Sequence, residues 1–150
     1  GEAIPLINRI GLLDRKLRVV SENTTTESDW YKWATRAFQA TYGYEFQGDN
    51  VLLARENLLY TFIEYFKDRF GKEPTLIQTK KIATIISWNI WQMDGLTCAV
   101  PYSETPPLYE QMTLFDTFDI FGLPEEKETE PIFCKIYDWR SNTSLEFKSM

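Results

Sequence analysis

Apolar residues first recur at helical spacing from Leu12 to Val20, where Leu12, Leu13, Leu17 and Val20 are separated by Asp14, Arg15, Lys16 and Arg18. The polar run SENTTTES then breaks the pattern and supplies two helix caps, Thr26 and Ser28. A second helix is predicted from Asp29 to about Thr41, with Trp30, Trp33, Ala34, Ala37 and Phe38 on one face. The period changes at Tyr42–Phe46, YGYEF, whose aromatic residues around Gly43 favour an extended strand. QGDN reads as a turn, with Asp49 or Asn50 able to cap the next helix. The longest signal runs from Asn50 to Phe70. Leu52, Leu53, Leu59, Tyr60, Phe62, Ile63, Phe66 and Phe70 form a broad stripe interrupted by Glu56, and Gly71 and Pro74 supply the stop.

Pro74 or Thr75 opens another predicted helix, to about Gln92. Its centre, in IATIISWNIWQMDGL, is apolar nearly all round, which suits burial between layers or against a partner. Residues 1–11 read as an irregular entry segment, broken by Pro5 and Gly11. Residues 94–131 read as loop: TCAVPYSETPP is proline-rich, YEQMTLFDTFDIFGL has weak helical character, and PEEKETEP is a charged linker. IFCKIYDW, Ile132–Trp139, alternates as a strand, with Phe133, Lys135 and Tyr137 opposite Ile132, Cys134, Ile136 and Asp138. RSNTS turns the chain into a final short strand or tail, LEFKSM. Strands alternating with helices predict an α/β domain with parallel strands. Two clear strands are too few for a whole doubly wound sheet, so either helices dominate or the chain is part of a larger sheet.

Composition narrows this picture. The 150 residues fit one domain, and 43% hydrophobic and 15% aromatic content suffices for a packed core. A formal charge of -6 and a pI near 4.8 argue against a self-sufficient nucleic-acid binder, since phosphate neutralisation needs clustered Lys and Arg. DRKLR, Asp14–Arg18, fits the solvated face of a short helix better than a phosphate contact. There is no histidine, and the two cysteines form no CxxC pair, so zinc ligation and Ser/His or Cys/His catalysis are not expected. Free thiols in a reducing cytoplasm are the expected state, although two cysteines suffice for one disulfide. No apolar run reaches the ~20 residues of a membrane span, and GEAIPLINRIG lacks the charge pattern of a signal peptide. Core packing is expected for Trp30, Trp33, Trp88 and Trp91, with Trp139, at a strand end, the exception.

Two predicted strands end in an acid: YGYE at Glu45 and CKIYD at Asp138. In open α/β sheets ligands bind beyond the carboxyl ends of the strands. There one carboxylate can accept both hydroxyls of a ribose, and an acid on a neighbouring strand can accept an adenine amine. Phe46 and Trp139, next in sequence, can pack on the purine faces. Against this, strand-terminal acids are common turn formers and helix caps, and no GxGxxG loop is present.

YGYEFQGDNVLLARENLL resembles the second motif region of adenine-specific DNA methyltransferases, the modification subunits of bacterial restriction–modification systems. There a strand ending in an acid leads through a turn to a helix of pattern LAxxNL, here Leu53-Ala54-Arg55-Glu56-Asn57-Leu58. ISWNIWQMDGLTCAVPYS and CKIYDWRSNTSLEFKSM extend the resemblance over most of the chain. It implies a helix-rich, partial Rossmann-like α/β core with a helical insertion, about 71–131, between two parallel strands. It also implies S-adenosylmethionine as cofactor. Glu45 would hold its ribose hydroxyls, Phe46 would lie beside the adenine, Asp138 would match the third-motif acid on the adenine amine, and Trp139 would adjoin it. Family members methylate a flipped-out adenine, because the target amine is otherwise paired inside the duplex.

The family's glycine-containing first motif and its catalytic Asn-Pro-Pro-Tyr or Asp-Pro-Pro-Tyr are missing, since Pro106-Pro107 lies between Thr105 and Leu108. The chain therefore reads as the interior of a catalytic domain, with no catalytic residue of its own, reaching DNA only through a full-length protein. The competing expectation is a non-catalytic helical interaction module that forms a homo-oligomer or docks on a partner subunit, because unpaired sheet edges invite association.

Overall fold

The computed structural model describes residues 4–103 and 131–147. Within them the chain is a mixed, helix-rich α/β unit. Four helices pack around the main apolar core, and a two-stranded parallel sheet and a β-hairpin adjoin a second, smaller cluster.

Helix α1, Leu12–Asn23, buries Leu13 and Leu17 and continues three residues past the predicted end. The polar residues there finish it: Asn23 Nδ2 donates to Val19 O at 2.8 Å and Thr24 Oγ1 to Val20 O at 2.7 Å, satisfying carbonyls of the last turn. Thr26 caps α2, Glu27–Gln39, by accepting the Asp29 amide. Helix α3, Gly48–Phe70, ends at Gly71, whose φ of 65° closes the helix with an amide bond of 2.8 Å to Lys67 O. Helix α4, Leu76–Asn89, starts with a capping box between Thr75 and Gln78.

Trp30 is fully buried at the centre of the core. Phe66 and Phe70 meet its ring edge-on at 5.6 and 5.7 Å, and Phe62 lies 6.1 Å away. Leu17, Ile82, Ile85 and Ile86 close the core from α1 and α4. Trp33 and Trp88 are not core residues: they are 48% and 40% exposed. Arg36 covers the Trp33 ring at 4.8 Å, and Trp88 packs against Tyr137 at a tilt, with ring centroids 5.3 Å apart.

The sheet departs from expectation. Strand β1, Gly43–Glu45, pairs in parallel with β2, Ile90–Gln92, in the register Gly43 to Ile90, Tyr44 to Trp91 and Glu45 to Gln92. The α4 helix therefore stops at Asn89 rather than Gln92, because IWQ gains a strand partner. Strand β3, Lys135–Asp138, does not pair with β1. It forms an antiparallel hairpin with β4, Thr143–Glu146, through a turn in which Asn142 has a φ of 59°. The parallel crossover is thus β1–α3–α4–β2. The expected insertion at about 71–131 contains the sheet partner of β1, so it is not an insertion between two parallel strands. The predicted strand Ile132–Trp139 is shorter in the structure, and its alternation holds only in the middle: Cys134 and Ile136 are buried and Lys135 is exposed, but Ile132, expected on their face, is exposed too. YEQMTLFDTFDIFGL and PEEKETEP lie outside the described residues.

Candidate functional site

The end of β1 and the start of α3 are held by side chains from the parallel pair. Glu45 Oε1 accepts the amides of Phe46 at 3.0 Å and Gln47 at 3.3 Å, which fixes the turn into α3. Gln92 Nε2, opposite Glu45, donates to Phe46 O at 2.9 Å. The Met93 amide donates to Glu45 O at 3.0 Å, extending the parallel ladder one residue past β2. Glu45 thus acts as a turn former with one oxygen, while Oε2 makes no hydrogen bond among the described residues.

Asp94 follows directly. Its Oδ1 accepts the Leu96 amide at 2.8 Å, its carbonyl accepts the Cys98 amide at 2.8 Å, and its own amide donates to Ala99 O at 3.0 Å. The result is a tight turn just beyond the carboxyl end of β2. A side chain at Gly95 would come within 2.9 Å of the Tyr44 ring, so the turn lies close against β1. Phe46, 41% exposed, meets Tyr102 edge-on at 5.6 Å. Two half-buried carboxylates and an aromatic pair therefore sit at the carboxyl end of adjacent parallel strands. Such a set can accept hydrogen bonds from a diol and an amine and cover a planar ring. Two thiols adjoin it: Cys98 closes the Asp94 turn, and Cys134 Sγ donates to Gln92 O at 3.3 Å.

Asp138 and Trp139 lie at the other end of the pair. Tyr42, which precedes β1, donates its hydroxyl to Tyr137 O at 2.9 Å. Trp139 Nε1 donates to Oδ1 of Asn89, the residue before β2, at 2.8 Å. Asp138 is itself the hairpin's turn former, accepting the Ser141 hydroxyl at 2.7 Å and the Arg140 amide at 2.9 Å. The Ser141 bond first, and the Arg140 amide second, hold its carboxyl below the usual aspartate range. Burial raises the Tyr42 hydroxyl, and the charge of Asp138 adds to that rise. The expected four-residue set of Glu45, Phe46, Asp138 and Trp139 is therefore corrected: the first two and the last two occupy opposite ends of the parallel pair. The cause is the unrecognised strand β2, which takes the place beside β1 that had been given to β3.

Asp94, Gln92 and Tyr102 were missed. A usable signal was present, since Asp-Gly after a short apolar run marks a turn and so ends a strand at Gln92. Arg55, inside LARENL, has a structural role. Its guanidinium donates to Ile90 O at 2.8 Å and Ser87 O at 3.1 Å, tying α3 to the end of α4. The basic DRKLR stretch also works internally. Lys16 Nζ donates to Ala40 O, and Arg18 donates to the carbonyls of Ile7 and Arg9. A cavity of about 390 Å³ is lined by Leu6, Arg18, Ser21, Tyr65 and Asp68. Tyr65 lies 17 residues into α3, about 25 Å along the helix from its start, so this cavity is remote from Glu45. No described helix is long and apolar enough to cross a membrane.

No family model, curated protein or solved structure matches this chain.

Proposed function

We propose that the chain is the part of an S-adenosylmethionine-dependent adenine-specific DNA methyltransferase, of the restriction–modification type, that holds the adenosine portion of the cofactor. Glu45 takes the ribose hydroxyls, Asp94 takes the adenine amine in place of Asp138, and Phe46 with Tyr102 covers the base. One observation supports this reading above the others. Both carboxylates lie just past the carboxyl ends of adjacent parallel strands, where nucleosides bind in α/β sheets. Oε2 of Glu45, without a hydrogen bond among the described residues, suits a diol donor. Nothing among the described residues suits the methionine carboxylate or the reacting adenine, so binding by this chain is weak and methyl transfer is absent. DNA is reached through further protein.

Ligand-observed NMR with S-adenosylhomocysteine tests the assignment. Glu45→Ala and Asp94→Ala each remove about 1.5 kcal/mol or more of charge-assisted hydrogen bonding, about a tenfold weakening, while Asp138→Ala leaves the signal unchanged. Loss on Asp138→Ala with retention on Asp94→Ala would overturn it, and so would the absence of binding by the parent chain.

A second reading, a helical interaction module, is favoured by the outer face of α3. Leu52, Leu53 and Tyr60 there are 66%, 56% and 55% exposed. It predicts self-association or capture by a partner subunit, and a monomer by light scattering at high concentration counts against it. The two readings are compatible.

A further inference from the structure

Cys98 and Cys134 are brought together by a bridge whose named partners are their neighbours. Ala99 pairs with Phe133 in antiparallel sense. One step along each strand lie Cys98 and Cys134, and the Cys134 amide donates to Cys98 O at 3.1 Å. Cys98 has a φ of 59° and leaves the extended path there, so the single amide bond from Cys134, rather than a regular ladder, sets the two residues side by side. A disulfide needs Cα atoms about 4.4–6.8 Å apart, a spacing within reach of residues joined by one backbone hydrogen bond. Both side chains pack on the same small cluster, with Trp91, Met93 and Ile136. Both thiols are free.

The pair is asymmetric. Cys98 is half-buried, whereas Cys134 is 5% exposed and its Sγ donates to Gln92 O at 3.3 Å. Burial pushes the Cys134 thiol up, and the neighbouring Cys98 adds to the rise. An accessible first thiol beside a buried second thiol is the arrangement of an attacking and a resolving cysteine.

We propose that Cys98 and Cys134 form a redox-active dithiol that closes to a cross-strand disulfide by exchange with a low-molecular-weight disulfide of the glutathione class. The Cys98 thiolate attacks one sulfur of the oxidant. The mixed disulfide forms, the oxidant's S–S bond breaks, and the first small thiolate leaves and takes up a proton. The Cys134 thiolate then attacks Cys98 Sγ, displacing the second small thiolate, which is protonated in turn. Two protein thiols are oxidised and one disulfide is reduced to two thiols. The new bond replaces the Cys134 contact to Gln92 O and ties the turn 94–98 to the strand preceding the hairpin. The inference does not depend on what, if anything, Asp94 binds.

The chain is equilibrated in mixtures of reduced and oxidised glutathione, acid-quenched, unfolded, treated with N-ethylmaleimide and weighed intact. The expected product is about 2 Da lighter than the reduced chain, carries no maleimide, yields a peptide linking Cys98 to Cys134, and reverts with dithiothreitol. Cys134→Ser accumulates a glutathione adduct on Cys98, and Cys98→Ser reacts about tenfold more slowly than the parent. A parent chain that stops at the Cys98 adduct with Cys134 still alkylated would overturn the proposal, as would disulfide-linked dimers alone or no reaction.

Discussion

Asn89 is the polar joint between the helical core and the strands, and replacing it with Asp tests how the two are held. The side chain is 1% exposed. Its Nδ2 faces the carbonyls of Phe38, Gln39 and Thr41 at 3.0, 3.1 and 3.0 Å, and its Oδ1 accepts the indole N–H of Trp139 at 2.8 Å. Three carbonyls at one end and a donor at the other fix the orientation of the amide. Asn89→Asp keeps the shape and the Trp139 acceptor but turns the donor into an acceptor. Two N–H bonds are lost at about 1 kcal/mol each, and carbonyls at the end of α2 are left facing an oxygen, so the cost at pH 8 is about 3 kcal/mol. That is a large share of the roughly 5–15 kcal/mol that stabilises a domain. Burial and the surrounding carbonyls raise the new carboxyl's folded pKa above its unfolded value of about 4. The protonated form, with a donor again, is therefore favoured in the folded state. Its stabilisation is present below the unfolded pKa and lost as pH rises through the folded one. Urea unfolding followed by circular dichroism should show a parent-to-variant gap that widens from pH 4 to pH 8. A gap below about 0.5 kcal/mol, or one independent of pH, would refute the reasoning.

The ion pair of Arg9 with Glu64, at 2.6 Å and 3.2 Å for its two bonds, fastens the N-terminal segment to α3. The Arg9 bond holds the Glu64 carboxyl below its ordinary value, so its stabilisation is present above the unfolded pKa and fades as pH falls through the folded one. Because Glu64 is partly solvated, Glu64→Gln costs under about 1 kcal/mol at pH 7, and the cost shrinks as pH falls through the lowered folded pKa, measurable as a pH-dependent difference in melting temperature. Gly71→Ala forces a Cβ into the left-handed region and should cost about 1 kcal/mol in urea unfolding, whereas Gly71→Asn costs less. Equal stabilities for the two variants would show that the α3 terminus relaxes away from that conformation.

The helices were legible because their signals are local. Gly71 stops α3 and Thr75 caps α4 where the sequence indicates, and Thr26 opens α2. The strands were less so. Ile90–Gln92 is three residues long and continues the apolar run of α4, and only a partner 47 positions earlier makes it a strand. With β2 hidden in the sequence, Asp138 stands out as the second strand-end acid, whereas the structure puts Asp94, not Asp138, beyond the carboxyl end of the strand beside β1. Glu45 was placed correctly at a strand end, and its double use, as turn former and candidate ligand, is a matter of which oxygen serves each role. The exposure of Trp33 and Trp88 was also beyond reach, because helical periodicity gives a face but not whether a neighbour covers it.

The β1–α3–α4–β2 crossover bears on how the molecule assembles. Gly43 and Ile90 cannot meet until a loop of 47 residues has closed, at an entropic cost of roughly 3 kcal/mol, repaid by a pairing only three residues long. The helical layer, whose contacts include short-range ones between α1 and α2 and between α3 and α4, is then expected to organise before the strands. The carboxyl end of the parallel pair, which carries Glu45 and the turn at Asp94, is expected to form late and open early. Amide hydrogens of residues 43–45 and 90–93 should accordingly exchange with solvent faster than those around Trp30 and Phe66. A ligand captured there would act as a latch on the last-formed part of the fold.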